Sequence, residues 1–365
     1  DIRRVVPDTV LSESDAGGEL MAAIVMADDG IAFDGDSLAR GPLGGAETAF
    51  ISLAEALAAR GHDVTIHNRC GAPMTRFGVN WEPLEKGLPD TADLYIANRG
   101  DKLLPAVPTA RSRVFWIHNP AGYLKKWRYI AKLMRWRPTV VFSSGFHAAS
   151  FASWLPSGGK ATIPYGISSV FIDAVPPAGP PAPRVAFTSS PLRSLDWLLE
   201  LWAAEIHPKL PTAELHVFSS PKTYGEHGNA RADQMNAVLD RAVALSGAGV
   251  VLRDPLPKAE LATELAGFRA LLYRGDPGET YCLAVGEAQA VGVPSIVQNI
   301  GCVAERVVEG VTGYVTADDA AFAERAIALL SDNALWQDQH DAALAQQRNW
   351  SWDDAAAAFE RFLPA

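Results

Sequence analysis

The stretch GETYCLAVGEAQAVGVPSIV, residues 278–297, decides the fold. The run ALLYR just before it reads as a strand, so Glu279 falls in the loop that follows. The pattern predicts a helix over residues 281–291, stopped by Gly292, with a new strand beginning at Pro294. Glu287 should then lie about two turns into the helix, at about 1.5 Å per residue. Two carboxylates placed this way can grip two parts of one elongated ligand. The free amides at the helix start suit a phosphate. A pair of glutamates at this spacing says little alone, because helices carry many surface glutamates; the flanking pattern gives it meaning.

The bulk of the chain bounds the answer. Its 365 residues exceed one ordinary core and suit two domains. An apolar share of 48% with 20% charged residues describes a globular protein. A net charge of -10 argues against nucleic acid as a partner. Cys70, Cys282 and Cys302 form no CxxC and no metal-spaced set, which suits a reducing cytoplasm. The start DIRRVVPDTV lacks the apolar core of a signal peptide. The early apolar run LMAAIVMA is too short to span a bilayer.

That run, residues 20–27, reads as a buried first strand. A long loop with Gly41, Gly44 and Gly45 leads into a helix over residues 48–60, ended by Gly61, and VTIH is the next strand. The loop is neither GxGxxG nor GxxxxGK[ST]. Gly44-Gly45 directly before a helix lets backbone amides approach a phosphate, although an ordinary tight turn would use the same residues. Asp34-Gly35-Asp36 has a DxD spelling but sits in a polar loop rather than at a strand end, so it is read as chance. LYIA and VFWIH are further parallel strands. His118 stands at the carboxyl edge of the second, where open α/β sheets bind ligands. Residues 176–183 hold five prolines in eight, which neither sheet nor helix tolerates, and are read as an interdomain linker. RVAFTSS opens the second half, followed by a helix burying Leu195, Leu198, Leu199 and Trp202. Cys282 could invite a thiol-nucleophile reading, but no histidine is placed beside it by sequence, and it is taken as a buried packing residue.

Residues 123–138, YLKKWRYIAKLMRWRP, hold six basic residues and no acidic one in an acidic chain. As one helix, Leu124, Trp127, Ala131 and Met134 form an apolar stripe beside Lys125, Arg128, Lys132 and Arg135. A solvated charged helix packed on the sheet is the plain alternative. The pattern equally fits an acceptor-side or membrane-facing surface, with the apolar stripe packed on the core and the basic stripe facing anionic lipid.

Glu279, seven residues, Glu287, then Ala-x-Ala-x-Gly-x-Pro resembles the C-terminal signature of retaining glycosyltransferases of family 4. Gly301, Glu305, Gly310, Thr312, Gly313 and Tyr314 resemble that family's next block, and ATIPYGI resembles the block that ends its first domain. The resemblance runs from the Gly-Gly loop to the last helix. It implies an α/β fold of two Rossmann-like, doubly wound domains facing a central cleft, the GT-B architecture. On that plan residues 1–175 are an acceptor-side domain, 176–183 the linker, 184–345 the nucleotide-sugar domain, and 346–365 a last helix crossing back.

The resemblance further implies a metal-independent hexosyl transfer that needs no cofactor beyond its nucleotide-diphosphate sugar substrate. His118 and Glu279 would be catalytic. Gly44, Gly45, Arg193, Thr280, Tyr281, Cys282, Leu283 and Glu287 would bind the donor, with Glu287 on the ribose hydroxyls. A glycan or lipid-linked acceptor at an anionic membrane surface, in surface polysaccharide synthesis, completes the picture. Two departures stand out. Arg193 fits the family's second basic position, but Thr188 occupies the first, leaving Lys222 as a weak substitute, and Ser194 replaces a glycine. Thr280-Tyr281-Cys282-Leu283 stands where Gly-Phe-Gly-Leu is common, which leaves the sugar open. The rival readings are a sugar-nucleotide epimerase on the same fold and a non-catalytic binding subunit.

Overall fold

The computed structural model describes residues 21–364, for residues 224–227 the backbone alone. The chain divides into two compact units. One holds the described residues up to 36, residues 46–166 and those from 352 on; the other holds residues 37–45 and 167–351.

The first unit is built on eight strands: β1 (Ala23–Asp28), β2 (Asp63–Asn68), β3 (Met74–Arg76), β4 (Val79–Pro83), β5 (Leu94–Asn98), β6 (Ser112–Trp116), β7 (Thr139–Phe142) and β8 (Gly159–Thr162). Their order is β3-β4-β2-β1-β5-β6-β7-β8. Every pair is parallel except the β3–β4 hairpin at the edge. The central strands are apolar runs because both faces are covered; every residue of β5 is buried. The expected first strand starts three residues later than its spelling, and Leu20 lies outside the described residues. The helix Gly45–Ala59 buries Phe50, Leu53 and Leu57 against one face. On the other face Tyr95, Phe115, Leu124, Leu133 and Phe142 share a core.

The second unit carries β9 (Arg184–Phe187), β10 (Glu214–Phe218), β11 (Val250–Arg253), β12 (Ala270–Leu272), β13 (Ser295–Gln298) and β14 (Gly313–Thr316). All pairs are parallel, in the order β11-β10-β9-β12-β13-β14. The chain starts in the middle at β9, winds outward to β11, and returns to β12 on the other side. The carboxyl ends of β9 and β12 therefore flank a switch point, where a crevice opens for a ligand. The first unit repeats the plan at β1 and β5.

The division differs from the expected boundaries. Residues 167–175 group with the second unit because the amide of Ile167 donates to the Trp350 carbonyl at 3.0 Å, and Arg348 donates to Ala174 O at 2.8 Å. Phe171 is buried within that segment. The proline-rich stretch is then a connection inside the second unit, held where Arg269 Nε donates to Pro181 O at 2.7 Å. Proline excludes a segment from sheet and helix without making it a boundary. At the other end the helix Trp352–Glu360 belongs to the first unit. There Arg60 holds Glu360 at 2.6 and 2.9 Å and Asp353 at 2.8 Å, and Phe359 packs on Trp116.

Candidate functional site

In the second unit the residues after β12 build a polar site. Glu279 is buried in the loop between β12 and the helix Leu283–Ala290. Its Oε2 accepts from the Tyr273 hydroxyl at 2.9 Å and from Arg193 Nη1. Arg193 reaches it from the loop after β9, so the cation and the carboxylate come from the two strands that flank the switch point. The carbonyl of Glu279 accepts from the Cys302 amide at 3.2 Å. Gly301 makes that approach feasible: its φ is +69°, and a Cβ there would stand 2.2 Å from the Asp276 carbonyl.

The helix is shorter than expected, Leu283–Ala290 rather than residues 281–291. Cys282 adopts φ +65°, a left-handed conformation that ends the loop and delays the helix. Glu287 is consequently little more than one turn in, not two. Its buried Oε1 accepts from Lys258 Nζ at 2.5 Å. Lys258 opens the helix Lys258–Leu265 and its ammonium lies 5.7 Å over the Phe171 ring. Each carboxylate of the pair is thus neutralised by a cation from another part of the same unit.

Two of the expected departures have a physical face. Ser194 and Cys282 stand where the resemblance expects glycine, and both have positive φ, +63° and +65°. Each strains a residue that bears a Cβ. Ser194 compensates by donating its hydroxyl to the Gly275 carbonyl at 2.9 Å, which ties together the loops after β9 and β12. Cys282 is buried, and burial pushes its thiol up, away from thiolate chemistry.

The remaining expected donor residues are placed unequally. The Tyr281 hydroxyl accepts from Arg306 at 2.9 Å and its ring lies under that guanidinium, so the side chain serves the loop's own packing. Thr280 is buried beside it and Leu283 is half-buried. Gly45 lies near Leu283; a Cβ on it would stand 3.8 Å from Leu283 Cδ1. Gly44 directly precedes the helix Gly45–Ala59. Lys222 is exposed and lines a cavity of about 630 Å³ with Ser219, Asn236 and Arg253, beside β10 and β11.

In the first unit His118 stands two residues beyond β6, at the carboxyl edge as expected, but it is buried and both ring nitrogens are engaged. Nε2 meets Asn98 Oδ1 at 2.5 Å and Nδ1 meets the Tyr165 hydroxyl. Asn98 Nδ2 donates to the Asp28 carboxylate, so Asn98 Oδ1 must accept and His118 carries its proton on Nε2. Burial, with Arg99 and His147 nearby, holds the imidazole neutral, well below its ordinary range. Arg99 in turn joins Asp28 at 2.8 Å to Glu47 at 2.9 Å. Burial opposes its charge, yet the two carboxylates raise its pKa.

This network of Glu47, Arg99, Asp28, Asn98, His118 and Tyr165 was not anticipated beyond His118. A signal was present: DDG after the first strand and NRGD after LYIA put polar side chains at carboxyl edges, as at His118. Asp36 pairs with Arg76 at 3.0 Å, and its amide donates to Asp34 Oδ1 at 3.0 Å. Among the described residues no group of three or more His, Cys, Asp or Glu could hold a metal.

Neutral buried histidines carry a pH prediction. His147 accepts from the Ser143 amide at Nδ1 and meets the Asn119 carbonyl at Nε2, 2.9 Å away. Burial lowers its pKa from 6.5 to about 4. The unfolded chain therefore binds the proton first, and folding stability falls as pH drops from 6.5 toward 4. The slope is about 1.4 kcal/mol per pH unit for one such group. Glu55, pushed up from 4.5 to about 7 by burial, acts with the opposite sign over much of that window. Comparing His147→Asn with the unmodified protein isolates the histidine: urea denaturation at pH 7 and pH 5 should show the larger acid loss in the unmodified protein.

The basic stretch departs from the expected single helix. A 3-10 turn, Ala121–Lys125, precedes the helix Trp127–Trp136, and Lys126 between them is extended, with φ −70° and ψ 136°. That break shifts the phase. The helix buries Tyr129 and Leu133, whereas Trp127 is 74% and Met134 57% exposed. The apolar stripe expected to pack on the core, Leu124 excepted, faces outward. Lys132 and Arg128 share Asp101 at 2.7 and 3.4 Å, while Lys125 and Arg135 remain exposed. No helix among the described residues is long and apolar enough to cross a membrane.

Two doubly wound units, the second with buried carboxylate–cation pairs, define the class: a two-domain α/β protein with parallel sheets. Comparison with known families sharpens this. Residues 44–207 match the glycosyl transferase 4-like domain and residues 182–332 the glycosyl transferases group 1 domain, so the two matches together run from 44 to 332. The chain belongs to the glycosyl transferases built from these two domains, with the fold called GT-B. No curated protein matches it. Among solved structures it is similar to sucrose-phosphate synthase from Thermosynechococcus elongatus, at 17% identity and TM-score 0.67, covering 93% of this chain and 97% of that one. HepE of Anabaena, solved with UDP-glucose, is 14% identical with TM-score 0.70, covering 93% and 98%. WaaG, a glycosyltransferase involved in lipopolysaccharide biosynthesis, is 13% identical with TM-score 0.61, covering 94% and 100%.

Proposed function

We propose that this glycosyltransferase moves a hexosyl group from a nucleotide-diphosphate sugar, with retention and without a metal, to a glycan or lipid-linked acceptor in surface polysaccharide or glycoconjugate synthesis. The observation that carries the donor half is the pair of buried carboxylates, Glu279 and Glu287, each matched to a cation, Arg193 and Lys258, in the second unit. HepE, similar in fold, was solved with UDP-glucose, which supports a donor of this kind. In this reading Glu287 exchanges Lys258 for the ribose hydroxyls, since a carboxylate offers a vicinal diol two acceptor oxygens. Arg193 turns from Glu279 to the diphosphate, whose negative charge grows as the glycosidic bond breaks. The helix amides at Leu283 add to that stabilisation. Glu279 then faces the anomeric carbon as it becomes oxocarbenium-like. The acceptor hydroxyl attacks from the face the diphosphate leaves, and its proton passes to a departing phosphate oxygen. His118, neutral and held on Asn98, keeps the catalytic role that the family resemblance gives it.

A panel of nucleotide sugars tests this directly through release of the nucleoside diphosphate. One donor should be turned over, and a chelator should leave the rate within about a factor of two, since aimed cations and amides supply the charge. Loss on chelation with recovery on manganese or magnesium would instead make Asp34 and Asp36 ligands.

The acceptor side is assigned to the first unit, at the inner face of the cytoplasmic membrane. Exposed Trp127 and Met134 flanked by Lys125, Arg128 and Arg135 form an apolar strip with a cationic border, which suits an anionic leaflet better than a solvated helix does. Each cation near such a surface contributes about 1 kcal/mol, less at high salt. Changing Lys125, Arg128, Lys132 and Arg135 together to Gln should abolish sedimentation with phosphatidylserine vesicles. Unmodified protein that ignores the vesicles would point to a soluble acceptor.

A further inference from the structure

We infer that Tyr273 is the positioning residue that keeps the Glu279 carboxylate aimed once Arg193 leaves it for the diphosphate. The inference rests on the reading of Glu279 as the donor-facing carboxylate. Two donors meet on Glu279 Oε2, and they differ in kind. Arg193 is a long cation on a loop, 39% exposed at its side chain. Tyr273 is fixed. It is buried, its amide donates to the Ile296 carbonyl at 3.1 Å, and its ring meets Phe187 edge-on with centroids 6.1 Å apart.

A guanidinium shared between Glu279 and the leaving group holds the carboxylate less firmly than one committed to it. As negative charge builds on the diphosphate, the guanidinium is drawn toward it, and the phenol at 2.9 Å stays on Glu279. A neutral donor has a particular merit here. It orients the carboxylate without cancelling the negative charge that must face a positive anomeric carbon. Burial together with the Glu279 charge keeps the phenol protonated, so it remains a donor throughout. The hydroxyl of Tyr273, and not its ring, is therefore the functional part.

Tyr273→Phe removes that hydroxyl and keeps the ring contact. Turnover should fall by about tenfold or more, the usual scale for a hydrogen bond to a charged group, while KM for the donor stays within about twofold. In a Glu279→Ala background the same change should cost nothing further, because the two residues act as one unit. An equal loss in both backgrounds would make Tyr273 a packing residue and overturn the inference. So would unmodified kcat in Tyr273→Phe while Glu279→Gln is impaired. Unimpaired Glu279→Gln would instead remove the donor-site reading itself. Replacement of Tyr273 by 4-aminophenylalanine keeps a neutral donor at the same place. Turnover near that of the unmodified enzyme is expected there, and a loss like that of phenylalanine would contradict the inference.

Discussion

Glu279→Gln lowers kcat by about a hundredfold and leaves donor affinity within about threefold, on this account. The amide keeps the shape of the side chain and can still accept from Tyr273 and Arg193. It loses the negative charge, which matters most as the anomeric carbon becomes positive. An interaction that strengthens only in the transition state appears in kcat, not in KM. Removal of one aimed electrostatic group at a reacting centre costs roughly 10²–10³ in rate. Steady-state kinetics with the preferred donor reads both parameters. A raised KM with unchanged kcat would move Glu279 from the reacting centre to ground-state binding.

Glu287→Ala acts on the other parameter. Donor binding weakens by about 1.5–3 kcal/mol, roughly tenfold to a hundredfold in Kd, for charge-assisted hydrogen bonds lost to the ribose. The change also strips Lys258 of its carboxylate partner at 2.5 Å. The half-buried ammonium left without Glu287 would attract the negatively charged donor, which offsets part of the loss. The Lys258→Met, Glu287→Ala double variant removes that offset and should bind the donor less well than Glu287→Ala alone. Isothermal titration with the donor distinguishes the two variants.

Much of this was legible in the sequence, and the limits have physical causes. The strands around LYIA, VFWIH and RVAF announced themselves because a strand covered on both faces is a continuous apolar run. Glu279 and Glu287 could be singled out because the loop, helix and following strand are contiguous. Their cations could not be paired with them from spacing: Arg193 and Lys258 lie 86 and 29 residues away along the chain. Only the parallel winding of β9, β12 and the helix at Lys258 brings them together. Arg193 was expected on the diphosphate and is found on Glu279, the buried carboxylate it neutralises. The basic helix misled for a local reason. Its 3.6-residue periodicity was read through Lys126, where the backbone is extended, so the predicted inner stripe came out on the surface. The polar network around His118 needed three strand ends to be read together, not one.

The most direct test of the central claim is the thermal midpoint of three proteins across a panel of nucleotide sugars. A ligand that binds the native state alone raises the midpoint by mass action. One nucleotide sugar should stabilise the unmodified protein and Glu279→Gln alike, with the shift lost or sharply reduced in Glu287→Ala. An equal shift in all three proteins, or none for any nucleotide sugar, would contradict that claim.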